Sequence, residues 1–252
     1  MAARTDLVLE EQAALGANAV SIISSPMREF TRRLRLNDEQ VLLLRSGAGI
    51  PGSLPDRARC REELGVPSDA LVLGYVANIT PDNRLLEGAF DIFREKFPVA
   101  VLLSAGPTWF SEDGPVARAA EAGLVKDLGR IPFAGIGRVL AASDFLLLPM
   151  RDVPFNHCRW PNKIGDYLAA GRFIAATRVG DAGRAVGRWK AGAVGEPTAE
   201  GLAGAMMELA AIPDRERQAL GHRAREVATG ELSWNRRLRR LIRFLRKRGL
   251  EL

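Results

Sequence analysis

Residues 150–172 read MRDVPFNHCRWPNKIGDYLAAGR, and the stretch WPNKIGD within them has the make-up of an anion-binding helix start. Pro161 suits a first helical position, with its fixed φ and no N–H to leave orphaned. The N–H groups that follow, from Asn162, Lys163 and Ile164, would then be free to meet an anion, and Lys163 adds a positive charge. Ile164, Tyr167 and Leu168 form the apolar stripe of the same helix. Asn162 and Asp166 are four apart and share a different face. A carboxylate one turn into such a helix repels phosphate, so its use would be to accept hydrogen bonds from sugar hydroxyls. An ordinary capped helix with a solvated lysine and aspartate fits the same letters, and both readings stay open at this point.

A second segment advertises phosphate chemistry more loudly. Gly47-Ala48-Gly49-Ile50-Pro51-Gly52 satisfies G-x-G-x-x-G and follows the apolar run Val41 to Leu44. The fingerprint works only where a helix begins at once, aiming backbone N–H groups at a pyrophosphate. Here Pro51 falls inside the motif, Pro55 follows soon after, and the next helical pattern, RARCREELG, starts only near Asp56. No second strand ends on an acidic residue about twenty positions on. The segment 46–56 therefore reads as a linker whose glycines serve backbone angles.

The elements that must position these residues are visible as alternating patterns. VSIIS (20–24), VLLL (41–44), LVLGYVA (71–77), VAVLLSA (99–105), FLLLP (145–149) and FIAAT (173–177) are short and apolar, as strands buried on both faces are. Leu86, Phe90, Phe93 and Phe97 give LLEGAFDIFREKF one apolar stripe, and FAGIGRVLAA and NKIGDYLAAG repeat the idea. Alternation of this kind predicts a doubly wound, Rossmann-like parallel α/β sheet, with ligands at the carboxyl ends of its strands. Those ends are the loops 78–84, 106–110, 150–162 and 178–181. After residue 180 the pattern turns helical, through TAEGLAGAMMELAAI and DRERQALGHRAREVA to LSWNRRLRRLIRFLRKR.

The chain has 252 residues, 47% of them hydrophobic and 26% charged, which describes a globular protein able to bury its own core. Two cysteines are too few for a disulfide framework or a cysteine-based zinc site, and His157 and His222 lie far apart, so no metal is expected. Residues 236–248 hold eight basic residues and no acidic ones; without them the net charge of +6 becomes −2, so basicity belongs to the tail. Trp234, Leu238, Leu241, Ile242 and Leu245 form an apolar stripe between those arginines. Three readings follow: a helix packed on the body, a helix on an anionic membrane, and a nucleic-acid contact, the last the weakest. The N-terminal stretch lacks the apolar core of a signal peptide, and no apolar run reaches membrane-spanning length, which predicts a cytoplasmic protein, peripheral at the inner membrane face if the tail binds lipid.

In these segments the sequence resembles the retaining GT-B glycosyltransferases of family 4 (glycosyl transferases group 1). WPNKIGDYLAAGRFIAATRVGD resembles their donor-site segment, P-x-K-x-x-E-Y-x-A-x-G-x-P-V-V-A-T. LVKDLGRIPFAGIGRVLAASDFLLLP, LVLGYVANITPDNRLLEGAF and HRAREVATGELSWNRRLRRLI resemble neighbouring blocks in the family's order, and the likeness runs from about residue 10 to 245. The resemblance implies a Rossmann-like doubly wound sheet that is one half of a GT-B fold, with C-terminal helices. Residues 1–54 would be a remnant of the N-terminal half and a linker, 55–230 the nucleotide-sugar (donor) domain, and 231–252 a basic amphipathic helix.

By the same resemblance Asp166 takes the second acidic position of the family's E-x7-E motif and would hold the nucleotide ribose. Backbone at Asn162 to Ile164, with Lys163, would take the diphosphate, and Arg130 and Ile131 lie in the base-binding loop. The family's phosphate-binding Arg and Lys fall near Asn78 and Asn83, with Arg84 adjacent as a substitute, and its first acidic position falls on Cys158. The implied reaction transfers a hexose from a nucleotide diphosphate sugar to an acceptor hydroxyl with retention, using no metal and no cofactor. The alternative is a non-catalytic nucleotide-binding or assembly module, a truncated or split glycosyltransferase. Either would pair with a separate acceptor-binding half or form a homo-oligomer.

Overall fold

The computed structural model describes residues 2–49, 53–77, 82–107 and 110–250; Ile50, Pro51 and Gly52 of the glycine motif and Asn78 lie outside them. The chain opens with α1 (Ala2–Gly16), β1 (Val20–Ile22), α2 (Met27–Arg33), a 3-10 turn (Asp38–Gln40) and β2 (Val41–Leu43). β1 and β2 pair in parallel, Val20 opposite Val41 and Ile22 opposite Leu43, so α2 is the crossover of a small βαβ unit.

Past the linker come α3 (Arg57–Glu63), β3 (Val72–Val76), α4 (Asn83–Lys96), β4 (Val101–Ala105), α5 (Pro115–Glu121), β5 (Val125–Asp127), α6 (Phe133–Ala142) and β6 (Phe145–Leu148). Then follow α7 (Pro154–Cys158), α8 (Lys163–Ala169), β7 (Phe173–Thr177), α9 (Gly180–Arg188), β8 (Gly192–Gly195), α10 (Ala199–Ala210), α11 (Asp214–Thr229) and α12 (Trp234–Arg246). The larger sheet has six parallel strands in the order β5-β4-β3-β6-β7-β8, which counted within that sheet is 3-2-1-4-5-6. Its order reverses between β3 and β6, where a crevice opens at the carboxyl ends of the strands. All six expected strands are present. β5 and β8 are additional, being short and carrying a lysine, an aspartate or glycines where the others carry apolar runs.

Side chains alternate across this sheet as the pleat requires. Leu73, Tyr75, Leu102, Phe145 and Leu147 face α4 and α10, packing on Leu86, Phe90, Phe93 and Met206. On the other face Leu146, Leu148, Ile174 and Ala176 meet Ile164, Tyr167 and Leu168 of α8 and Ala224 and Ala228 of α11. Val72, Val101 and Leu103 meet Val139 and Ala142 of α6. Each large apolar side chain so buried contributes about 1.5–3 kcal/mol. At the amino ends of the strands Asp144 collects Arg61 Nη2 at 2.9 Å, Arg57 Nη2 at 2.5 Å, Arg217 Nη1 at 3.3 Å and the Val72 N–H at 2.8 Å. This cluster round the buried Asp144 is structural, for it lies at the opposite end of the sheet from the crevice.

The small unit docks on the carboxyl end of the large one through Asp181. Its carboxylate accepts from the Ser25 N–H at 2.7 Å and from Arg184 Nη2 at 2.7 Å, and it is paired with Arg45. Burial alone would raise its pKa; the Arg45 hydrogen bond, the Ser25 N–H and Arg184 outweigh that and hold it at about 2. Ser24 Oγ donates to the Cys158 carbonyl at 2.5 Å.

The linker glycines have a packing role. Residues 46–49 lie along α8: Ser46 Oγ donates to Asn162 Oδ1 at 2.7 Å, and the Gly49 N–H donates to Asp166 Oδ1 at 2.7 Å. A Cβ on Gly165 would stand 2.9 Å from Ala48 Cα, and one on Gly47 would stand 2.5 Å from the Leu232 carbonyl oxygen. Glycine is needed because two backbones approach here, not because a phosphate does.

Helix α12 divides the stripe read from the sequence. Leu241 and Leu245 are half-buried, whereas Trp234, Leu238 and Ile242 stay 45%, 48% and 37% exposed. Arg248, just past the helix, donates to the Asn18 and Glu39 carbonyls at 2.9 and 2.6 Å, tying the C-terminal helix back to the first βαβ unit.

Candidate functional site

A cavity of about 740 Å³ lies at the switch point, at the carboxyl ends of β3, β4 and β5. Ala77 follows β3, Gly106 and Pro107 follow β4, and Arg130 and Ile131 follow β5. Arg159, Trp160, Pro161, Asn162 and Lys163 come from the connection between α7 and α8, and Ile23 reaches in from the small unit. Gly106 has φ +122°, and a Cβ there would stand 1.6 Å from the Ala77 carbonyl oxygen, so only glycine lets β4 end against β3 at the floor of the cavity.

Of the residues expected from the sequence, Arg130, Ile131, Asn162 and Lys163 line this cavity. Ile164 is buried beneath it in the core, and its N–H donates to the Pro161 carbonyl at 3.2 Å. The expectation that this N–H is free is thus corrected: the turn begins at Pro161 and consumes it. Asp166 is not on the cavity wall, and its Oδ1 faces the Gly49 N–H. Arg84 is exposed in the first turn of α4, off the cavity wall. Asn78 lies outside the described residues.

Two residues that no sequence pattern singled out shape the site, Arg159 on the wall and Asp82 buried behind it. Arg159 lines the cavity, its Nη2 donating to Asp82 Oδ2 at 2.8 Å and its guanidinium lying 5.4 Å from the Phe155 ring centre. Asp82, fully buried ahead of α4, also accepts from Asn156 Nδ2 at 2.9 Å and from the Arg151 N–H at 3.0 Å. One carboxylate from the β3–α4 loop therefore fixes the whole run 151–159 over the crevice. Neither residue has a periodic neighbour to betray it; only the fold brings position 82 to position 159.

Lys163 points its ammonium at the face of Tyr75, 4.9 Å from the ring centre. Burial and the nearby Arg159 guanidinium bring its pKa down to about 7, with Asp82 pulling the other way. Tyr75 is itself pushed well above the usual phenol value by burial and by Asp82. The Val76 N–H donates to Tyr167 Oη at 3.1 Å, which locks α8, and with it Lys163, against the end of β3. Arg130, Arg159 and Lys163 are thus gathered round one crevice whose wall carries no carboxylate among the described residues. Part of the same lining is apolar, from Ile131, Phe133 and Ile136. A ligand with a flat hydrophobic end and a polyanionic middle matches that division.

No protein-family model matches this chain, and no curated protein matches it by sequence. Its likeness to solved structures is close in shape. A glycosyltransferase from Rickettsia africae superposes with a TM-score of 0.76 at 16% identity, covering 93% of this chain and 64% of the other. Sucrose-phosphate synthase from Thermosynechococcus elongatus gives 0.74 at 20% identity, over 97% of this chain and 61% of its own. HepE from Anabaena in complex with UDP-glucose gives 0.76 at 17% identity, over 96% and 68%. This chain thus spans about six-tenths of the length of the first two. The strand order, the crevice at its reversal and these superpositions agree: the chain has the GT-B glycosyltransferase fold, its six-stranded sheet being one Rossmann-like half.

Proposed function

We propose that the cavity binds a nucleoside diphosphate sugar, and that, completed by an acceptor-binding half on the same or another chain, it transfers the hexose to an acceptor hydroxyl with retention. The observation that carries this reading is the trio Arg130, Arg159 and Lys163 round a crevice of about 740 Å³ with no acidic group on its wall among the described residues. Ile131, Phe133 and Ile136 take the base, and Arg159 and Lys163 take the diphosphate. As the glycosidic bond breaks, negative charge gathers on the leaving diphosphate, and two fixed cations there lower that barrier. The HepE structures, one with UDP and another with UDP-glucose bound, support this choice of ligand.

Calorimetry with UDP, UDP-glucose and uridine tests the reading. Loss of one charge-assisted contact is worth about 1.5–3 kcal/mol, so Arg159→Ala should weaken UDP-glucose by about 10- to 100-fold and leave uridine unchanged. Absence of binding by UDP, GDP and their sugars would overturn it.

A second reading is a nucleotide-binding or assembly module without turnover. It is favoured by Asp166, whose carboxylate faces the linker, and by Cys158 where the related motif has its first acid. Transfer or hydrolysis of a nucleotide sugar by the purified chain, alone or with a partner half, separates the two.

A further inference from the structure

Helix α12 presents one apolar row and two basic rows that the fold leaves uncovered. Trp234, Leu238 and Ile242 stand at i, i+4 and i+8 and are exposed by more than a third. Beside them run Arg239, Arg243 and Arg246, and beyond these Arg236, Arg240 and Lys247, all exposed. Among the described residues only Arg236 has an acidic partner, Glu231 at 3.6 Å. Among the described residues, four exposed arginines on this helix of 13 residues, and Lys247 just past it, thus lack an acidic partner, next to an apolar row headed by a tryptophan. Arg248 and the buried Arg237 fix the helix to the body, so the rows are held in place.

We propose that this face of α12 is a docking surface for an anionic lipid bilayer. Apolar and basic rows at adjacent angles on one helix match a membrane interface, where side chains enter the acyl boundary beside negative headgroups. A second copy of this chain is disfavoured by charge, because an isologous contact would set one arginine row against another. A nucleic acid or an acidic protein surface would match the arginines and leave Trp234, Leu238 and Ile242 in water. No helix among the described residues is long and apolar enough to cross a membrane, so the contact is in-plane.

Co-sedimentation of the full chain with vesicles of phosphatidylcholine alone, and with one-third phosphatidylglycerol, tests this at about 0.1 M salt. The chain should pellet with the anionic vesicles and stay in solution with the neutral ones. Charge reversal at Arg239, Arg243 and Arg246 together should lower partitioning by about 100-fold or more. Replacing Trp234, Leu238 and Ile242 together by Ser should lower it at least tenfold, and circular dichroism melting should show both variants folded. Failure of the native chain to bind the anionic vesicles overturns the proposal. So does full binding by the Ser variant, which would reduce the surface to a charge contact of the kind DNA also makes. Neither result touches the nucleotide site, whose test is calorimetric.

Discussion

At the scale of single residues, Lys163 ties the fold to the chemistry. Facing Tyr75, with Arg159 and Asp82 near, it has a pKa of about 7. A diphosphate beside it favours the charged form, so the site takes up a proton on binding wherever the free lysine is neutral. Affinity for UDP-glucose, whose phosphates do not titrate in this range, should therefore fall as pH rises from 7 to 9, by up to about tenfold per unit. The binding enthalpy should vary with buffer ionisation over the same range. Lys163→Met should bind more weakly and show neither dependence; a native profile as flat as the variant's would show that Lys163 does not meet the phosphates. The lysine was legible in the sequence, because proline, polar residue and lysine before an apolar stripe have a local meaning. Arg159 was not. Its partner Asp82 is 77 positions away, and nothing in ANITPDNRLLEGAF distinguishes an aspartate that will clamp another loop from one that caps its own helix.

At the scale of elements, Asp181 helps hold the first βαβ unit to the larger sheet and Gly165 lets the linker lie along α8, and each contact gives a measurable expectation. Asp181 has a native pKa of about 2 against 3.8 for an ordinary aspartate, so its contribution is present above about pH 4 and is lost as pH falls through 2. That window is worth roughly 2 kcal/mol. Asp181→Asn should lower urea stability at pH 7 by about that amount and flatten the decline between pH 4 and 2. Along α8, Gly165→Ala should push residues 46–49 off the helix, because a Cβ there meets Ala48 backbone at 2.9 Å. Amide exchange at Gly49, whose N–H is held by Asp166, should then speed up while exchange in β6 and β7 stays slow. The sequence yielded these elements unevenly. Strands such as FIAAT are apolar throughout and announce themselves, whereas AVG within Gly192–Gly195 becomes a strand only because β7 stands beside it. The break at 46–56 was legible as a linker; that it lies along α8 depends on Gly165, more than a hundred positions on.

At the scale of the whole molecule, the two ends of the large sheet divide the labour. The carboxyl end holds the crevice, and the amino end holds Asp144 with its arginines. Arg61 is buried there and donates also to the Ala142, Ser68 and Ala70 carbonyls, so it cannot turn to water when its partner is removed. Asp144→Ala should cost about 3–5 kcal/mol in chemical denaturation and leave nucleotide affinity of the folded fraction unchanged.

The opposite extreme is the β1–β2 pair. Each strand is three residues long and, among the described residues, has the other as its only neighbour. Parallel strands are normally walled in on both sides. Among the described residues the outer edges of these two have no ladder partner. Open strand edges of this kind are where a sheet accepts a further strand, so this small sheet is the part of the fold most sensitive to what lies beside it.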